Sequence, residues 1–359
     1  MRRAAEDGWF DADSEAVGVR GDVQPLSWGE TLPAYDTDGD LSYNAEVTFA
    51  TADLSAPIVF KFKVDGTDNP NDGWENGRNR VVNPDSTRVV SVSFDEEHPS
   101  LPPTLSDNVV VHQSFAPEAS ALRARDLFVY LPPGYETGET RYPVLYMHDG
   151  RNIFDASEVG VEWRMDEHAN ELIASGEIEP VIIVGVDNTP ERIYEYTPSA
   201  GEYDPSGGGD VYGQLLVDHI KPFIEANYRT LAGPEHTALG GSSLGGLISL
   251  YLGLEYPDIF GQLLVVSPSI WWDDHVILRK VEALDAATGQ RIWLDMGGRE
   301  GGTSVDDARN LNAALLGKGW ADGDVRYVEA PEADHSERAW SARSADMLRF
   351  LFGRMKDEG

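Results

Sequence analysis

At 359 residues, with 41% hydrophobic and 25% charged side chains, the chain is long enough for two domains, and no apolar run approaches the roughly 18 residues of a membrane span. Sixty-two acidic against 28 basic residues give a formal charge of -34, which disfavours nucleic acid and anionic membranes as partners. Without cysteine, disulfides, thiolate catalysis and cysteine-ligated metals are excluded, so any covalent nucleophile is an oxygen or an amine.

The opening MRRAAEDGWF sets acids where a signal peptide needs an apolar core. A soluble chain with no signal peptide as written is expected, cytoplasmic unless a leader has been removed. Short β-type runs follow at Val47 to Phe49, Ile58 to Val64, Val81 to Val82 and Val89 to Phe94. Their spacing predicts a small immunoglobulin-like β-sandwich over residues 1–98. In DTDGDLS, 36 to 42, the acids are spaced almost as in a calcium loop, but Gly39 precedes the third acid and no twelfth-position glutamate follows. A hairpin turn is the expectation there. DEEHPSLPPTLSDN, 95 to 108, is charged and then proline-rich, which stops sheet and helix alike, and residues 99–108 are assigned as a linker.

Over 109–359 apolar runs (DLFVYLPP, YPVLYMHDG, PVIIVGVDN, TALGGSS, GQLLVVSPS, RIWLDMGG, VRYVEA) alternate with helical stretches at 210 to 227, 304 to 317 and 337 to 353. Runs of this kind predict an α/β domain whose mainly parallel sheet is covered by helices.

One stretch carries chemistry. In HTALGGSSLGGLISLYLGLEY, the G-x-S-x-G pattern fits Ser243, between Gly241 and Gly245, and not Ser242. A strand before and a helix after make this a nucleophile elbow, where side chains at the flanking positions would collide. A serine needs a base, and only His275 and His335 follow it. His275 comes too early to leave room for an acid-bearing strand, whereas His335 lies between the last apolar strand and the last helix, where the base is expected. The acid is sought after RIWLDM: Glu300, on a glycine-rich loop, ranks before Asp295, which lies within the strand run. The backbone N–H groups of Arg151, after the strand ending in His-Asp-Gly, and of Leu244 are the candidate oxyanion donors. His98, His112, His148, His168, His219 and His236 show no metal-binding spacing, and the chemistry calls for neither metal nor cofactor.

LYMHDGRNIFD, GVEWRMDE, ERIYEYTP, GGSSLGGLISLY and SPSIWW together resemble the "putative esterase" family of α/β-hydrolases. That family includes enterochelin, feruloyl and D-type esterases and the antigen 85 mycolyltransferases. The resemblance covers about residues 109 to 353. It implies a serine carboxylesterase working through an acyl-enzyme, with Ser243, His335 and Glu300 as triad and a small-molecule or glycan-linked ester as substrate. Arg151 stands where the family usually has glutamine, which suggests a pocket biased towards acidic or hydrogen-bonding substrates. Trp163, Arg192, Tyr194, Trp271 and Trp272 are assigned to the acyl or alcohol pocket. IVFKFKVDG followed by GWENGRNRVV resembles starch-binding modules of the CBM20 and CBM48 type, with Trp28 and Trp74 as sugar-stacking pair, Asn79 nearby and a polysaccharide as partner. The alternatives are an acyltransferase of the same fold and a carbohydrate-binding protein whose hydrolase domain is inactive.

Overall fold

The structure is a computed structural model that describes residues 1, 5, 8, 10–12, 14–50, 57–66, 73–75, 79–82, 94, 103–117, 120–157, 160–201, 204–321 and 323–354. The chain forms two compact units: Met1–Thr104 with Asp155–Glu162, and Leu105–Phe154 with Trp163–Gly359. Residues 155–162, within the hydrolase half of the sequence, thus cluster with the first unit.

In the first unit, β1 (Ala16–Gly21), β2 (Leu32–Pro33), β3 (Ile58–Asp65) and β4 (Arg80–Val82) form one antiparallel sheet in the order β2-β1-β3-β4. Val17 and Val19 on β1, and Ile58, Phe60 and Val64 on β3, are even numbers of residues apart and share one face of the sheet; Val19, Ile58 and Phe60 belong to one buried cluster and Val17 and Val64 to another. Residues 47–49, expected as a strand, are not one. Val47 and Phe49 instead pack half-buried against the first cluster, so side-chain burial alone accounts for their apolar character. Of the run 89 to 94, only Phe94 lies within the described residues. The acidic turn is a hairpin turn: Tyr35 and Asn44 exchange backbone hydrogen bonds at 2.9 Å, and Asp36 accepts from Gly39 N at 2.8 Å and Leu41 N at 2.7 Å.

Trp28 and Trp74 lie 6.1 Å apart at a 50° tilt, but the Lys63 ammonium and Arg20 guanidinium sit over the Trp74 ring at 4.7 and 5.3 Å. Both cations are within cation–π range of the ring expected to stack on a pyranose. Asn79 is half-buried just before β4.

The second unit carries an eight-stranded sheet: β5 (Val109–Phe115), β6 (Arg125–Tyr130), β7 (Val144–His148), β8 (Ile182–Val186), β9 (Thr237–Ser242), β10 (Gln262–Val266), β11 (Arg291–Gly297) and β12 (Val325–Ala330), in the order β12-β11-β10-β9-β7-β8-β6-β5. Strands β7 to β12 run parallel, and β6 and β5 are antiparallel at one edge. Apolar clusters on both faces bury the strands, the physical reason their sequences read as continuous runs rather than alternations. The helices that position the site are α1 (Gly150–Phe154), α2 (Met165–Ser175), α3 (Leu244–Glu255), α4 (Trp272–Glu282), α5 (Ser304–Gly317) and α6 (Glu337–Phe352). The chain reverses its winding at β7, with β8 on one side and β9 on the other. In such sheets the crevice at the strands' carboxyl ends is the binding place.

Gly150 and Gly185 allow α1 to sit directly on β8: a Cβ on Gly185 would lie 2.7 Å from Gly150 O and 2.9 Å from its Cα. Gly185→Ala is therefore expected to destabilise the domain by about 2 kcal/mol, read as a lower urea midpoint.

Candidate active site

Ser243 stands between β9 and α3 with φ 60° and ψ -122°, a conformation that costs a non-glycine residue on the order of 1–3 kcal/mol. Surrounding bonds hold it: Ser243 N donates to Val266 O at 3.0 Å, and its carbonyl accepts from Leu247 N and Ser269 N, both at 3.0 Å. A Cβ at Gly241 would come 3.0 Å from His148 Cδ2, and one at Gly246 2.8 Å from Val266 O. At Gly245 the nearest atom is 3.4 Å away, so the crowded glycines are 241 and 246 rather than the 241 and 245 of the motif. Ser242 is buried inside β9, whereas the Ser243 hydroxyl lies 3.3 Å from Ser269 Oγ.

Register carries the strand ends to one place, since Ser242 pairs with Val266 and Val266 with Asp295. Beyond β11, Glu300 turns back over the sheet. Its Oε1 accepts from Ser267 Oγ at 2.5 Å and Gly297 N at 2.7 Å, and its Oε2 lies 2.7 Å from His335 Nδ1. Burial pushes the Glu300 carboxyl up, but the hydrogen bonds from His335, Ser267 and Gly297 outweigh it and hold the group below its ordinary range. The bond fixes Nδ1 as the protonated nitrogen and leaves Nε2 available as base. Trp340 meets the imidazole edge-on at 5.0 Å and donates its indole N–H to Ser267 Oγ at 3.0 Å.

Asp295, the second candidate acid, is committed elsewhere. It is fully buried, accepts from Ser267 N and Trp293 Nε1, and pairs with Arg343 through Nε and Nη2, each at 3.1 Å. His275 faces Asp307 at 3.1 Å.

Of the oxyanion candidates, Leu244 opens α3, so its N–H is one of the first-turn donors that a helix leaves unpaired. The Arg151 N–H donates to Asp187 Oδ1 at 3.2 Å. The Arg151 guanidinium pairs with Asp126 at 3.2 Å and Asp187 at 3.5 Å, so its charge is matched twice over. The sequence-based bias towards acidic substrates therefore finds no support in this side chain.

The pocket residues divide. Trp163 and Trp272 are core residues, 2% and 1% exposed: Trp163 stacks against Trp340 at 5.6 Å and Trp272 donates to Ser199 O. Arg192 is locked onto Asp149, Nε to Oδ1 at 2.6 Å and Nη2 to Oδ2 at 2.8 Å. Tyr194 is half-buried against Gly208, and Trp271 stays 48% exposed. Sequence reasoning missed Ser267, Trp340 and Arg343, which support the Glu300–His335 pair, although SPSIWW and HSERAW contain two of them. It also missed His148, bonded to the Tyr212 hydroxyl at 2.8 Å and packed under the elbow. Burial lowers that imidazole to about 3, so it stays neutral at any ordinary pH.

This fold and site define an α/β-hydrolase-like esterase. The chain belongs to the family described as "Putative esterase", whose model matches residues 119–351. It is 26% identical over 248 residues to the uncharacterized protein YbbA of Bacillus subtilis, spanning 64% of this chain and 93% of that protein. It is 28% identical over 160 residues to the ferri-bacillibactin esterase BesA of the same organism, spanning 39% and 52%. Among solved structures, the enterobactin esterase of Shigella flexneri superposes with a TM-score of 0.61 at 17% identity, over 94% of this chain and 88% of that one. No helix among the described residues is long and apolar enough to cross a membrane.

Asp295→Asn leaves the Arg343 guanidinium buried without its counter-charge, at a cost of about 3–5 kcal/mol. Urea unfolding should show that loss for Asp295→Asn and a smaller one for Glu300→Gln. A stable but inactive Asp295→Asn would make Asp295 the triad acid.

Proposed function

We propose that the protein is a serine carboxylesterase acting through an acyl-enzyme. The observation that carries the reading is the 2.7 Å bond from His335 Nδ1 to Glu300, at the same strand ends as a serine held at φ 60°. His335 Nε2 takes the Ser243 proton as Oγ adds to the ester carbonyl. The oxyanion lies on the Leu244 N–H, joined by the Arg151 N–H when the carbonyl oxygen displaces Asp187 from it. Collapse breaks the bond to the alkoxy oxygen, which leaves as the alcohol with the proton from His335. Water then adds to the acyl-enzyme by the same route and releases the acid.

Relatives named as ferri-bacillibactin, siderophore enterobactin and feruloyl esterases support an aryl, siderophore or carbohydrate-linked ester as substrate. The exposed Trp271 beside Ser269 suits an aryl group. The sheet of the first unit fits an accessory β-domain, and the cations over Trp74 argue against starch stacking on that ring.

Hydrolysis of 4-nitrophenyl butyrate is expected to fall by on the order of 10^4-fold in Ser243→Ala and to persist in Ser242→Ala. The reverse order would refute the assignment of the nucleophile. In Glu300→Gln, kcat should drop about 10^2- to 10^4-fold, because a neutral amide no longer stabilises the imidazolium.

A further inference from the structure

Glu337 stands two residues beyond His335, on the first turn of α6. Its carboxylate turns inward and accepts from Asn152 Nδ2 at 3.1 Å. Asn152 belongs to α1, next to Arg151, so the carboxylate lies at the same end of the sheet as the elbow. Its charge is felt by His335, Asp149 and Arg192. Burial raises the Glu337 carboxyl above its ordinary range, its own backbone N–H, the Asn152 bond and His335 pull it down, and Asp149 pushes it up.

The charges around it do not balance. Arg192 is taken up by Asp149, Arg151 is shared by Asp126 and Asp187, and His335 is bonded to Glu300. Glu337 is held by a neutral amide, so its negative charge is a surplus. The other amide atom, Asn152 Oδ1, is a buried acceptor without a hydrogen-bond partner among the described residues. The carboxylate and the oxygen of the amide that holds it both call for a donor, and a second anion there would be repelled in a partly desolvated place.

We propose that Glu337, with Asn152, determines the specificity of the site: it selects esters that bring a positive charge or hydrogen-bond donor and rejects those that carry an anionic group near the scissile bond. This inference rests on the esterase reading. It places esters with an anionic group close to the scissile bond outside the preferred substrates. Glu337 acts here by discriminating between substrates and takes no proton in the reaction.

The test is kcat/KM at low ionic strength for three 4-nitrophenyl esters of similar length: the butyrate, the succinate hemiester and the 4-(trimethylammonio)butyrate. The full chain should favour the cationic over the anionic ester by about tenfold or more, and Glu337→Gln should shrink that ratio by about tenfold while Glu337→Asp keeps most of it. An unchanged ratio in Glu337→Gln with the butyrate still hydrolysed overturns the inference, as does a wild-type protein that prefers the anionic ester. Should the wild-type protein hydrolyse none of the three, the esterase reading itself fails, a result distinct from a lost preference.

Discussion

The site depends on one buried carboxylate. Glu300 is kept ionised by three donors, one of them the His335 imidazole, and that charge orients His335 and, in the proposed mechanism, prepares it to become a cation. Ser267 connects this pair to the rest of the fold: its hydroxyl donates to Glu300 and accepts from Trp340 Nε1 at 3.0 Å, while its N–H donates to Asp295. Asp295 in turn holds Arg343 on α6, the helix that follows the His335 loop. Two acids therefore serve one site at different depths, the deeper fixing the scaffold and the shallower facing the base.

The parallel strands explain why these groups meet. β9 and β10 end level with Asp295, two residues before the end of β11, so the elbow after β9, Ser267 after β10 and Glu300 after β11 converge without long loops. Across the crevice Asp149, Asp187 and their arginines occupy the ends of β7 and β8. Asp149 is paired with Arg192, and Asp126 and Asp187 share Arg151, whereas Glu337 is held by a neutral amide.

The parallel half of the fold was legible because strands buried on both faces read as apolar runs that charged, periodic helices interrupt. The helix predicted at 304 to 317 is found at Ser304–Gly317. The strained turn at Ser243 was legible from glycine spacing, and Glu300 was ranked above Asp295 because it lies past the strand end, the position that brings it onto His335. The pocket was less legible. Tryptophan and arginine carry no mark that separates a wall from a core, and Trp163, Trp272 and Arg192 are used internally by partners distant in sequence. Glu337 was invisible for a related reason: its importance comes from Asn152, which lies 185 positions away in the chain. In the first unit, the run at 47–49 has strand composition but packs without backbone pairing, a distinction that periodicity does not make.

Labelling with a fluorophosphonate probe, followed by peptide mass mapping, tests the central claim most directly, because the adduct forms only on a serine whose proton an adjacent base removes. A single adduct on Ser243, lost in Glu300→Gln and His335→Ala, is the predicted result. An adduct on Ser242, or none on a protein that still cleaves esters, would contradict it.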